Sequence, residues 1–100
     1  MFKEIYKLKN MLEEAEIPFE FEELVNLING TPKNEIGYPN RDTQTMRCCV
    51  YQNEWSKGGW EDKLEMMGML VPKDNPEGLT IGNLSAEEAF AIIKKDFEEK

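Results

Sequence analysis

The chain has 100 residues, 12 basic against 20 acidic side chains, a formal net charge of −8 and no histidine. One compact domain is the ceiling at this length, and 40% apolar residues suffice for a single core. Lack of histidine excludes His-dependent hydrolase triads and His-containing zinc sites, and the acidic balance argues against a protein that wraps nucleic acid by neutralising phosphates.

Phe2, Ile5, Leu8, Leu12 and Ala15 recur at spacings of three and four, which predicts an amphipathic helix ended by Pro18. The stretch from Pro18 to Ile28 fits two templates. Phe19 and Phe21 alternate with Glu20 and Glu22 as in a strand, while Phe21, Leu24, Val25 and Ile28 fit a helix. Asn29-Gly30-Thr31-Pro32 is a turn in either case, and a chain reversal follows. Met46 to Gln52 reads as the clearest strand, with Met46, Cys48 and Val50 on one face and Arg47, Cys49 and Tyr51 on the other. Leu64 to Val71 is expected to be a second apolar strand ended by Pro72, with Lys73 to Gly78 as a polar loop. Ser85 with Glu88 three residues on is a capping box, and Leu84 stands where a staple to Ala89 belongs. Ala89, Phe90, Ile93 and Phe97 continue that stripe as a C-terminal helix. The order predicts one α+β domain over residues 1–100, a small antiparallel sheet with an N-terminal and a C-terminal helix packed on it.

Adjacent cysteines form only a strained bridge, so Cys48 and Cys49 read as reduced thiols of a cytosolic protein. The apolar run Met66–Val71 is far short of the roughly 20 residues that span a bilayer, and the start Met1-Phe2-Lys3-Glu4 has no signal-peptide core, so the expected location is the cytoplasm with no membrane partner.

Charge is unevenly distributed. Residues 1–29 carry 3 basic and 7 acidic side chains, 30–60 carry 4 and 3, and 61–100 carry 5 and 10. The middle third is the part that is not acidic, and it holds both arginines, both tryptophans, Tyr38 and Tyr51. Arg41, Arg47 and Lys57 suit phosphate clamping, and Tyr51, Trp55 and Trp60 offer faces for stacking on a base or nicotinamide-like ring. Ser56, Gly58 and Gly59 add hydroxyl and amide donors in a segment where the backbone can approach a ligand. Against this stands the ordinary alternative that the aromatics are core and the arginines surface. The Walker pattern is absent, and a bare Gly-Gly is most often a hairpin turn. Glu61, Asp62 and Glu65 lack EF-hand spacing, so no metal is expected, and no cofactor motif occurs. Met46, Met66, Met67 and Met69 are expected to fill the core. The acidic helix residues (Glu13, Glu14, Glu16, Glu87, Glu88, Asp96, Glu98, Glu99) read as a solvated face, with mimicry of DNA phosphates as the functional alternative.

The start F-K-E-I-Y-K-L-K-N-M-L-E-E-A-E-I-P-F-E-F, then G-Y-P, R-C-C-V-Y, L-E-M-M-G-M-L and L-T-I-G-N-L-S-A-E-E-A-F-A-I-I-K-K, resembles small acidic proteins encoded by phages and prophages of Gram-positive gut bacteria. In similar sequences the segment after I-P is a strand leading to a hairpin, which implies a strand for Phe19 to Leu24. Small accessory phage proteins often counter host defence. The resemblance therefore implies a non-enzymatic anti-defence protein that sequesters a cyclic nucleotide or cyclic ADP-ribose-like signal, with a homodimer burying the ligand. The alternative is an acidic inhibitor that blocks a defence effector, such as a CRISPR nuclease, by contact. A third possibility, cleavage of the signal, would use Glu54, Glu61 or Asp62 as general base.

Overall fold

The computed structural model describes residues 3–25, 27, 30, 32–53, 62–75 and 78–99. Its order is α1 (Glu4–Glu14), β1 (Glu20–Val25), β2 (Pro32–Tyr38), β3 (Cys48–Asn53), β4 (Leu64–Gly68), β5 (Thr80–Leu84) and α2 (Ala86–Glu98). The strands form one antiparallel sheet in the spatial order β1-β2-β3-β4-β5, so each pairs with its neighbour in sequence. Both helices pack on one face, α1 against β2 and β3 and α2 against β4 and β5. The fold is the expected two-helix α+β arrangement.

Alternation along the strands sends Ile36, Val50 and Met66, cross-strand neighbours in register, beneath the helices, where all three are fully buried. Ile5, Leu8 and Leu12 come down from α1, and Ala86, Ala89 and Ile93 from α2, to close this single core. The capping box is formed: Ser85 Oγ accepts from the Glu88 N–H at 3.1 Å, and Glu88 Oε1 accepts from the Ser85 N–H at 2.9 Å.

Several expectations are corrected. Helix α1 ends at Glu14, before Pro18, because the chain turns at Glu16 (φ 58); Ala15 is the exposed C-cap, not part of the buried stripe. Of the stretch that fits two templates, Glu20–Val25 is strand β1, in line with the strand implied for Phe19 to Leu24, and its Phe21 packs edge-on to Tyr6 with ring centroids 5.4 Å apart. Strands β2 and β5 were given no assignment by periodicity. Strand β4 stops at Gly68, where φ is 120 and an added Cβ would lie 3.0 Å from Arg47 O and Cys48 Cα. Strand alternation buries Met66 but turns Met67 outward, and Met69 lies beyond the strand, so these two are exposed by 44% and 71% and do not fill the core.

The two helices run parallel, and their N-termini meet at one end of the sheet. Asp62, at the entry to β4, accepts on Oδ1 from the Lys3 N–H (2.8 Å), the Glu4 N–H (3.2 Å) and Gln52 Nε2 (2.9 Å). Glu4 in turn accepts from the Ala86 N–H at 2.5 Å, in the first turn of α2. Each helix thus receives a carboxylate at its positive end from a distant part of the chain. Partial burial opposes the charge on Asp62, but the bonds from Gln52, Glu4 and Lys3 outweigh it and hold the carboxyl below its usual value of 3.8.

Asp62→Ala should cost about 1–3 kcal/mol in chemical unfolding, since it orphans two helix N–H groups and Gln52 Nε2. Because the folded value is depressed, the contribution of Asp62 is present above pH 3.8 and lost as pH falls through the folded value. The variant should therefore lose less stability than the parent between neutral pH and pH 3.

Candidate functional site

The face of the sheet opposite the helices is polar. Register places Glu22, Glu35, Tyr51 and Glu65 side by side across four strands, and Glu20, Gly37, Cys49, Met67 and Thr80 in the neighbouring row. The β2–β3 connection folds back over this face at Gly37, where a Cβ would collide with the Asn40 carbonyl and stand 2.7 Å from Arg41 Cγ. Asn40 Oδ1 orders the connection by accepting from the Asp42 N–H and the Thr45 hydroxyl, both at 2.9 Å.

Arg41 is fixed by three glutamates. Its N–H donates to Glu20 at 2.6 Å, Nη1 pairs with Glu22, and Nη2 pairs with Glu35 at 2.9 Å. Next to Glu35 in register, the Tyr51 hydroxyl donates to Glu65 at 2.6 Å. Glu65 is buried. Burial first, and then this bond, push the Tyr51 hydroxyl far up.

Arg47 was expected on the face of Cys49 and Tyr51. It precedes β3, whose alternation begins at Cys48, and it turns to the helical side instead. Nε and Nη2 each meet Asp96 of α2 at 2.9 Å, a bidentate pair, and the buried Tyr38 donates its hydroxyl to the same carboxylate at 2.9 Å. Asp96 is therefore a half-buried anchor, not part of a solvated acidic face. Arg41 and Tyr51 share the open face, whereas Arg47 lies on the other side of the sheet. The remaining candidates, Trp55, Ser56, Lys57, Gly58, Gly59 and Trp60, lie outside the described residues, as do Glu54 and Glu61 of the general-base alternative. They belong to the chain segment joining β3 to β4.

Glu22 and Glu35, central to this face, were not singled out from the sequence; the alternating F-E-F-E of β1 is the one signal that points to the first. The two cysteines are free. Burial is the main reason their thiols are pushed up, Cys48 to about 12 and Cys49 to about 11, so both stay protonated and weakly nucleophilic at neutral pH. Among the described residues no group of three His, Cys, Asp or Glu side chains is placed to hold a metal ion, and no helix is long and apolar enough to cross a membrane. No protein-family model, curated protein or solved structure matches this chain.

All three tyrosines donate to carboxylates, Tyr6 to Glu23 at 2.8 Å being the third. All three hydroxyls are raised above their ordinary 10.0, Tyr38 to about 12 chiefly by burial. Raised values stabilise the fold below pH 10 and lose that contribution as pH rises through the folded values. Absorbance titration near 295 nm should show tyrosine ionisation delayed beyond pH 10 in the native protein and restored to about 10 in denaturant. Asp96→Ala leaves Arg47 and Tyr38 without this carboxylate, and should lower stability by about 1–3 kcal/mol while moving the Tyr38 transition towards 10.

Proposed function

We propose that this chain is a non-catalytic binding protein of the phage anti-defence kind, and that it acts by contact, presenting the acidic open face of its sheet to a basic protein such as a defence nuclease. The observation that carries the reading is that both arginines are already engaged by the protein's own carboxylates: Arg41 by Glu22 and Glu35, Arg47 by Asp96. A phosphate would have to displace these partners, whereas the glutamates of β1, although bonded to Arg41 and Tyr6, stay exposed to solvent. A chain of net charge −8 is steered towards a basic partner and away from anions.

Sequestration of a nucleotide-derived signal is the second reading, and one observation favours it. Arg41 and Tyr51 stand on the same face, on either side of Glu35, with the Trp- and Gly-bearing segment 54–60 following β3 in the chain. Under this reading a homodimer encloses the ligand.

The discriminating experiment pairs two assays. DNA cleavage by a panel of purified CRISPR nucleases is measured with wild-type protein and with the Glu20→Gln/Glu22→Gln variant, whose fold is checked by circular dichroism. Contact predicts that one nuclease is inhibited, that the variant inhibits about tenfold less well, and that inhibition fades as NaCl rises from about 0.05 to about 0.5 M. In parallel, cyclic oligonucleotides and NAD-derived cyclic signals are mixed with the protein, unbound material is removed, and what heat releases is identified by mass spectrometry. An intact signal released on heating overturns contact in favour of sequestration, and an altered signal means an enzyme.

A further inference from the structure

On the helical side of the sheet, the β4–β5 connection and the last turns of α2 border a cleft of about 610 Å³, walled by Met69, Leu70, Val71, Pro72 and Ile92 and edged by Lys73, Lys95, Asp96 and Glu99. A second hollow of about 360 Å³ adjoins it, sharing Met69, Val71, Pro72 and Lys73 and reaching Leu79. Both volumes are in the range that holds small organic ligands.

The described residues of the connection are tied down by hydrogen bonds: the Asn75 side-chain amide donates to the Thr80 carbonyl at 2.6 Å and the Gly78 carbonyl at 3.2 Å, and the Met69 N–H donates to the Arg47 carbonyl at 2.9 Å. The edge of the cleft carries Lys73 and Lys95 as well as Asp96 and Glu99. Asp96 is bonded to Arg47, and neither lysine has an ion-pair partner among the described residues. Met69 and Leu79 meanwhile stay 71% and 80% exposed around the hollows. Two unpaired ammonium groups beside an apolar wall complement a molecule with one anionic head and an apolar body.

We propose that this cleft binds a small amphipathic anion, a carboxylate or phosphate on an apolar body, with Lys73 and Lys95 meeting the head and Val71, Pro72, Met69 and Leu79 covering the body. The site is separate from the acidic sheet face and stands whether or not the contact reading does.

The test is a titration of the full chain, labelled with ¹⁵N, with octanoate, octanol and inorganic phosphate as probes. Octanoate should shift the amides of Met69, Leu70, Val71, Lys73, Ile92 and Lys95 in a saturable manner, with octanol and phosphate each at least fivefold weaker. Lys73→Ala/Lys95→Ala should weaken octanoate about fivefold without changing octanol, while Glu20→Gln/Glu22→Gln should change neither. The lysines are exposed, so the double variant is expected to fold, and its spectrum reports that directly. The proposal is overturned if octanol matches octanoate, if phosphate alone matches it, if the lysine variant binds octanoate unchanged, or if the shifts lie elsewhere.

Discussion

The carboxylate of Asp62 is the point on which the architecture turns. Parallel helices set two like-signed dipole ends side by side, an arrangement that needs negative charge at the shared end. Asp62 supplies it to α1, Glu4 passes the same service to α2, and Lys7 pairs with Glu87 between the two helices. At the opposite end Asp96 ties α2 to Arg47 and Tyr38, so the helix is held at both ends. The core between these ends is mostly aliphatic, with Tyr38 its largest fully buried side chain, and the polar anchors tie the helices to the sheet at either end of it. Among the described residues one buried side-chain atom lacks a hydrogen-bond partner, Gln52 Oε1, whose amide nitrogen is committed to Asp62.

The same economy of carboxylates shapes the exposed surfaces. In a chain so rich in acid, both arginines and all three tyrosines end on a glutamate or aspartate. The open sheet face is left with acidic residues at its β1 edge, which also guards that edge strand against pairing with another chain. Positive charge free of such partners occurs at the cleft beside the C-terminal turn of α2, where Lys95 also complements the helix dipole. The molecule thus separates the acidic β1 edge of its open sheet face from a cleft edged by two lysines.

Much of the fold was legible because its local signals agree. The Ile5–Leu8–Leu12 stripe, the Ser85–Glu88 box and the alternation through Cys48–Val50 each match one period or one cap. Strands β2 and β5 were not legible, since P-K-N-E-I-G-Y and T-I-G-N-L carry few β-formers and owe their state to neighbours in the sheet. The site was harder still. Composition marks the arginines as candidate clamps, but their partners Glu22, Glu35 and Asp96 lie 19, 6 and 49 positions away, and the sequence does not say that these would meet. Arg47 shows a one-residue effect: it lies just outside the strand, so the period-two rule assigns it to the wrong side.

Glu4 and Ala86 are 82 positions apart, and Lys3 and Asp62 are 59 apart. Helix α1 therefore leaves the ribosome well before Asp62, the residue that caps it, and before α2, to which its Glu4 supplies a cap. An isolated helix of 11 residues is marginal in water, so α1 should remain largely unformed until β4 is in place. Closing such long loops before their contacts can reward it makes folding slow for a chain of this length. It also couples distant parts of the chain, so that a change at the entry to β4 is felt at the N-terminus of α1.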